Sequence, residues 1–161
     1  MDMNRRQFLK MNRTDGPRLI PPPWALDGDA FYNNCTRCGD CVRLCPQDIL
    51  VQLTEHKFPS VDFANGECTF CQDCVKACPT KALSGPKNQP WPIKATVNST
   101  CLATRQVICT TCSEQCEAEA ISFSPCIGRV AVPKIETQAC TGCGACVAPC
   151  PAQAIEVTYE M

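Results

Sequence analysis

Residues 35–46 read Cys-Thr-Arg-Cys-Gly-Asp-Cys-Val-Arg-Leu-Cys-Pro. The same spacing, Cys-x-x-Cys-x-x-Cys-x-x-x-Cys-Pro, returns at residues 68–79 and at residues 140–151. It is the ligand spacing of bacterial [4Fe–4S] cubanes, in which four thiolates surround one compact inorganic cube. The sequence therefore predicts a protein that holds iron–sulfur clusters.

A fourth copy of the motif is distorted. Seven residues, 102–108, separate its first two cysteines, and Glu117 replaces the proline. Its tail, Cys-x-x-Cys-x-x-x-Cys, is regular, so we expect a fourth cluster with an enlarged loop; three clusters and one empty motif stay the alternative. Of the 17 cysteines, only Cys126 is left over, and we expect it to be a small buried residue or a strand residue.

The proline after the fourth cysteine predicts how the motifs combine. Proline disfavours helical conformation in the residue before it and suits the first turn of a helix, so the fourth cysteine lies at a loop-to-helix junction. In two-cluster ferredoxins that cysteine binds the other cluster. Pairing the motifs in chain order predicts four ligand sets: Cys35, Cys38, Cys41 with Cys78; Cys68, Cys71, Cys74 with Cys45; Cys101, Cys109, Cys112 with Cys150; and Cys140, Cys143, Cys146 with Cys116.

Two other uses of so many cysteines fit the pattern less well. A disulfide framework is common in small cysteine-rich secreted proteins, but an odd count and three identical motifs argue against it. Structural zinc sites usually separate two Cys-x-x-Cys pairs by a longer loop than these motifs contain.

The order of the motifs predicts an α+β fold of two tandem two-cluster ferredoxin-like modules. We expect a basic, proline-rich arm at residues 1–30, a first module at 31–85, a linker at 86–92 and a second module at 93–161. Each module should contain short helices and one β-hairpin. The predicted hairpins pair residues 50–53 with 60–63, and residues 120–123 with 130–135.

Composition limits the functions open to this chain. The formal charge is −1, but each oxidised cubane with its four thiolates carries roughly −2, so four of them bring the protein to about −9. Basic residues are dispersed, which predicts no nucleic-acid binding. No apolar stretch reaches the length of a membrane span. Each half is too small to be stable on apolar burial alone, so we expect the apo chain to be largely unfolded.

Residues 4–10, Asn-Arg-Arg-Gln-Phe-Leu-Lys, resemble a twin-arginine export motif. A secretory signal also needs an apolar stretch, and the residues after Lys10 are polar and broken by Gly16 and Pro17. We therefore predict a cytoplasmic protein. The arm is then either a docking segment or a disordered tail.

Taken together, these features resemble the NapF family, the ferredoxin-type proteins of periplasmic nitrate reductase systems. The resemblance rests on the twin-arginine N-terminus, on Pro22-Pro23-Trp24, on the order of two regular motifs, one enlarged and one regular, and on residues 34–38, 101–103 and 140–146. It implies a cytoplasmic protein with several [4Fe–4S] clusters. It also implies binding to the catalytic molybdoenzyme subunit of the nitrate reductase before export, and help with that subunit's maturation by cluster loading or electron supply.

Two other functions use the same clusters. The chain could be a general [4Fe–4S] electron carrier, or the electron-transfer subunit of a molybdoenzyme complex in contact with other redox subunits. Every predicted ligand set has four cysteines, so no iron is left open for a substrate, and we expect no enzymatic activity of its own.

Overall fold

The computed structural model describes residues 19–85 and 89–159. Within these ranges the fold is α+β, with four very short helices and six strands, and no helix there is long and apolar enough to cross a membrane. The helices are α1 (Asp29–Asn34), α2 (Asp40–Arg43), α3 (Asp73–Lys76) and α4 (Thr111–Glu114); the strands are β1 (Leu50–Gln52), β2 (Pro59–Val61), β3 (Ile93–Val97), β4 (Ile121–Phe123), β5 (Pro133–Ile135) and β6 (Ile155–Tyr159).

Three of the helices are single turns that carry the third cysteine of a motif. Helices α2 and α3 repeat one pattern, Asp-Cys-Val followed by a basic residue, and in each the aspartate pairs with that basic side chain. In both motifs a Cys-Pro pair then ends the turn, because the residue before proline avoids helical conformation. Helices this short are not stable in isolation, so their shape depends on tertiary packing.

Both predicted hairpins are present. Strands β1 and β2 are antiparallel, with Leu50 opposite Val61. Strands β4 and β5 are antiparallel, with Ile121 opposite Ile135 and Phe123 opposite Pro133. The second strand of this hairpin begins later than the expected residue 130, and between the strands only an isolated bridge joins Cys126 to Arg129. Pro125 follows β4 directly after Ser124 and cannot donate to a ladder, which accounts for the shorter pairing.

The longest strand pair was not foreseen from the sequence. Strand β3 pairs with β6 antiparallel, with Ile93 opposite Tyr159 and Val97 opposite Ile155. Ile93, Ala95 and Val157 are buried, so the alternate residues of the pair face the core. The second half of the protein is thereby closed by strands that lie about 60 residues apart in sequence.

Residues 19–30 do not behave as a separate arm. The backbone N–H of Trp24 donates to the carbonyl of Pro90 at 2.7 Å, and its own carbonyl accepts from the N–H of Ser84 at 2.9 Å. Pro22 is fully buried and Trp24 is 6% exposed. This part of the expected arm therefore packs into the fold, because the side chain of Trp24, which follows the proline stretch, is buried in the core. The twin-arginine stretch lies outside the described residues.

An aromatic group supports the first half of the protein. Phe31 on α1 is 1% exposed and makes an edge contact with Tyr32, whose ring also makes an edge contact with Phe58. The Arg37 guanidinium lies 4.2 Å from the centre of the Phe58 ring, in cation–π geometry. These contacts fix α1 and the first cysteine loop on the β1–β2 hairpin.

Replacing Phe31 with Ala should lower the free energy of unfolding by about 3–5 kcal/mol, because a fully buried ring is lost and a cavity remains. Guanidinium titration under anaerobic conditions, followed by far-UV circular dichroism, measures the change. Leu44→Ala is the control: Leu44 is 59% exposed, so its truncation should change stability by less than about 0.5 kcal/mol. Equal midpoints for the two variants would contradict this assignment of the core.

Candidate iron–sulfur centres

The third cysteine of every motif is buried. Cys41, Cys74, Cys112 and Cys146 are each between 7% and 9% exposed, and all four belong to the hydrophobic core. The enlarged motif follows this rule as closely as the regular ones, since its Cys112 sits on the single-turn helix α4 just as Cys41 sits on α2. The seven-residue insertion thus leaves the core-facing end of the motif unchanged.

Twelve of the sixteen predicted ligands line three separate recesses. Each recess holds about 330 to 340 Å³ of empty space, including space open to solvent. In each one, three cysteines come from one loop and the fourth comes from the neighbouring motif, as pairing the motifs in chain order predicts. In one recess the fourth is Cys116, which Glu117 and not proline follows. The sets are Cys35, Cys38, Cys41 with Cys78; Cys68, Cys71, Cys74 with Cys45; and Cys140, Cys143, Cys146 with Cys116.

The remaining set is brought together in part. Cys112 lies close enough to Cys101 and Cys109 for their charges to interact. The Cys150 thiol accepts a hydrogen bond from the N–H of Ala154 at 3.3 Å. That Cys150 completes the Cys101, Cys109 and Cys112 set stays a prediction.

One backbone turn recurs after all four motifs. The third residue beyond the fourth cysteine is always in the left-handed region, with φ between 47° and 56°, although none of the four is glycine. In the last two motifs the next N–H donates to the cysteine sulfur at 3.3 Å: Ala120 to Cys116 and Ala154 to Cys150. Such N–H···S bonds favour the thiolate and help to set the potential of a bound cluster. The four turn residues are Asp48, Lys81, Glu119 and Gln153.

This turn could not be predicted from the sequence, because a non-glycine residue at positive φ has no simple sequence signal. Glu119 shows its importance, since the enlarged motif keeps the turn without the proline that precedes it in the other three. The ligand loops of the regular motifs add two more left-handed residues each: Arg37 and Gly39, Phe70 and Gln72, Gly142 and Gly144. Backbone that alternates in this way forms concave arrays of N–H groups that bind anions, including iron–sulfur clusters.

Burial makes the thiols hard to ionise without metal. It is the largest cause that raises the pKa of Cys41 to about 11 and the pKa values of Cys68, Cys74 and Cys146 to about 12, and nearby cysteines raise them further. Metal-binding thiols must lose their protons, so cluster binding here releases protons, and the cluster iron supplies the positive charge that the site lacks.

These features fit [4Fe–4S] clusters: sets of four thiols around a recess, one of them buried in each motif, with backbone donors turned toward cysteine sulfur. Within the described residues no three His, Cys, Asp or Glu side chains are grouped as ligands of a single metal ion. A cubane does not require such grouping, because each of its thiolates binds a different iron.

Cys126 differs from the expectation of burial. It is exposed, because it lies in the loop between β4 and β5 and not on a strand, where only an isolated bridge to Arg129 holds it. It lines none of the three recesses.

Lys94 is a charged residue at the site that the sequence did not reveal. It lies on β3 and is 9% exposed, and its Nζ donates to the carbonyl of Cys140 at 2.6 Å. A buried ammonium is costly unless it is paired. Here it stands beside a ligand loop of the recess that holds Cys116, Cys140, Cys143 and Cys146, where a cluster would supply negative charge.

Lys94→Met should lower the reduction potential of the centre at Cys140, because reduction adds negative charge that the nearby ammonium stabilises. The measurement is a redox titration followed by electron paramagnetic resonance (EPR), at equal iron content. Lys134→Met removes an exposed charge on β5 and should leave the potential nearly unchanged. An unchanged or raised potential in Lys94→Met would show that the ammonium serves packing alone.

The comparisons with known proteins agree with this site. The family model described as a 4Fe-4S dicluster domain matches residues 34–82, and the model described as a 4Fe-4S binding domain matches residues 133–156. Ferredoxin-type protein NapF of Escherichia coli K12 is 38% identical over 99% of this chain and 96% of that protein. The Haemophilus influenzae NapF is 45% identical over 96% and 93%.

A more distant relative is the methylamine utilization ferredoxin-type protein MauM of Methylorubrum extorquens, which is 33% identical over 83% of this chain and 68% of that protein. The NapF matches extend over nearly the whole chain, including the enlarged motif, to which neither family model extends. The chain therefore belongs to the NapF family of ferredoxin-type proteins, which are iron–sulfur electron-transfer proteins.

Proposed function

We propose that this chain is an iron–sulfur accessory protein that works in the cytoplasm, where it binds the catalytic subunit of a periplasmic nitrate reductase. It assists maturation of that subunit before export, by loading a cluster or supplying electrons. The observation that carries the proposal is the NapF similarity over nearly the full chain. It is supported by three recesses that each group three cysteines of one motif with the fourth cysteine of the neighbouring motif. The twin-arginine stretch, which no apolar segment follows, supports retention in the cytoplasm.

The proposed architecture is two tandem two-cluster modules with four [4Fe–4S] clusters, held by the sixteen cysteines of the four motifs. Support for the fourth cluster comes from the enlarged motif itself. Its Cys112 is as buried as its counterparts, and Glu119 repeats the left-handed turn found after the other three motifs. A motif that binds no cluster needs neither feature.

The reconstituted protein should contain about 16 iron and 16 sulfide per chain. Cys112→Ala should lower both to about 12, because one of the four clusters loses a ligand. Cys126→Ala is the matched control and should keep the full content, since Cys126 is exposed and lines none of the three recesses. A wild-type value near 12 that Cys112→Ala does not lower would establish the three-cluster alternative.

A specific observation also favours the general electron-carrier function. Cys38 and Cys71, the second cysteines of the first two motifs, are exposed. Clusters bound beside them would lie close to solvent, where a partner can exchange electrons without the protein opening. Both proposed functions use this feature, so partner binding must separate them.

The enlarged loop offers a surface for that partner. Ile108 in the loop and Ile127 in the β4–β5 connection are 84% and 102% exposed. The two segments are joined by a hydrogen bond from the Val130 N–H to Gln106 Oε1 at 3.2 Å. Large apolar side chains left in solvent mark sites of association, and here they lie on two segments that this hydrogen bond joins. We assign this surface to the reductase catalytic subunit, because it is built from the insertion that distinguishes the third motif from a plain ferredoxin motif.

A tagged protein should co-purify the catalytic subunit from the cytoplasmic fraction of nitrate-respiring cells. Ile108→Asp should weaken that binding by roughly tenfold or more, the equivalent of about 1.4 kcal/mol, because a carboxylate would be desolvated at the contact. Leu44→Asp places the same charge on a different exposed apolar residue and should bind normally. If no reductase subunit is recovered and reductase made without this protein is fully active, the general carrier function replaces the accessory one.

A further inference from the structure

The two halves of the protein meet through their ligand loops. The backbone N–H of Cys68 donates to the carbonyl of Cys143 at 2.8 Å. These cysteines belong to motifs in different halves and line different recesses. We call the contact of their two loops the junction. It joins two proposed cluster ligands by a single hydrogen bond between their backbones.

The junction is tightly built. A Cβ added to Gly144 would lie 2.1 Å from Cδ1 of Phe63, so glycine alone lets that ring approach the loop. Trp91 is 7% exposed, and its Nε1 donates to the carbonyl of Thr141 at 3.0 Å. The Trp91 ring also makes edge contacts with Phe63 and Phe70, with 6.0 Å between ring centres in each case. Phe63 of the first half and Trp91 of the linker therefore hold the last ligand loop of the second half in place.

The other ligand sets continue from the junction on both sides. In the first half, Cys74 lies close enough to Cys41 for their charges to interact. In the second half, Cys146 lies close enough to Cys112 for their charges to interact. The order of neighbouring sets is thus the Cys41 set, the Cys74 set, the Cys146 set and the Cys112 set. Only the link in the middle crosses between the halves.

We propose that the junction is the place of one-electron exchange between the two halves, which makes the chain a single redox unit and not two independent ferredoxins. From the sulfur of Cys68 the path follows its side chain and backbone N–H, crosses to the carbonyl of Cys143, and ends at the sulfur of Cys143. The centre held by one ligand set would gain the electron that the centre held by the other set would lose, and no proton moves and no covalent bond changes. This inference rests on the proposed clusters, but not on the proposed partner.

The test injects one electron into the second half and follows its distribution. Cys126 is an exposed thiol of that half, so a ruthenium photoreductant can be attached there to the cluster-loaded protein. Freeze-quenched EPR spectra then report when the signal of reduced centres in the first half appears. We expect this transfer in the wild-type protein; an electron that stays in the second half would overturn the proposal.

Gly144→Ala should slow the transfer several-fold, because the new methyl group drives Phe63 and the loop apart. Gly128→Ala is the control: both glycines have positive φ, +83° and +76°, so both substitutions strain the backbone, but an added Cβ at Gly128 meets nothing within 4 Å. Iron content is measured first in both variants. Equal transfer rates at equal iron content would reject the junction as the path.

If Gly144→Ala does not retain its clusters, a second pair of variants with smaller structural effects tests the junction. Both Trp91→Phe and Trp24→Phe shorten a buried ring by the same atoms. The first also removes the N–H that holds Thr141, whereas the second removes an N–H that has no hydrogen-bond partner among the described residues. We expect slower transfer in Trp91→Phe than in Trp24→Phe. Equal rates in this pair would overturn the proposal. Low iron in the wild-type protein would instead count against the proposed clusters, so the two failures are distinguishable.

Discussion

Gathering four thiols in one place is unfavourable for a protein that has no metal bound. Burial raises the pKa of the third cysteine in the Cys74 and Cys146 sets to about 12, and charges on neighbouring cysteines would repel one another if these thiols ionised. In the fold, single-turn helices and aromatic contacts hold the cysteine loops in positions that bring the thiols together. Iron would supply the opposite charge, so we expect cluster binding and folding to be coupled in this chain. Within residues 19–85 and 89–159 the helices are very short and each sheet has two strands, as expected where a bound cluster would take over part of the role of a core.

Much of the site could be predicted from cysteine spacing, because spacing fixes local geometry. The conformational limits that Pro46 and Pro79 place on the residue before them predict that the fourth cysteine is exchanged, and three recesses bring the cysteines together in that grouping. That these sets bind clusters stays a prediction. Both hairpins join strands that are close in sequence, and turn residues between short apolar runs predict them. The enlarged motif was the less certain case, and its buried Cys112 and its turn at Glu119 now favour a ligand role for it.

Features that depend on distant contacts could not be predicted. The pairing of β3 with β6 joins residues such as Lys94 and Thr158. Both strands alternate apolar and polar residues, but alternation alone does not identify the partner of a strand. The sequence presents Trp24 as the end of a proline-rich arm, but its backbone is held by Ser84 and Pro90, which residues 19–30 alone cannot supply. The same limit applies to the junction, because the sequence shows Gly144 as a small spacer of its own motif, whereas the fold places Phe63 against it.

The β3–β6 pair has a consequence for synthesis on the ribosome. All eight cysteines of the first two ligand sets precede residue 79, so the first half can close as soon as its own chain has emerged. Strand β3 follows within about fifteen residues, but its partner β6 begins only at Ile155. At ordinary translation speeds of about 5–20 residues per second, β3 waits for roughly 3–12 s with Ile93 and Ala95 uncovered and its edge unpaired. An unpaired apolar edge is prone to associate with other chains, so the nascent second half is the part of this protein most in need of a chaperone or an early cluster.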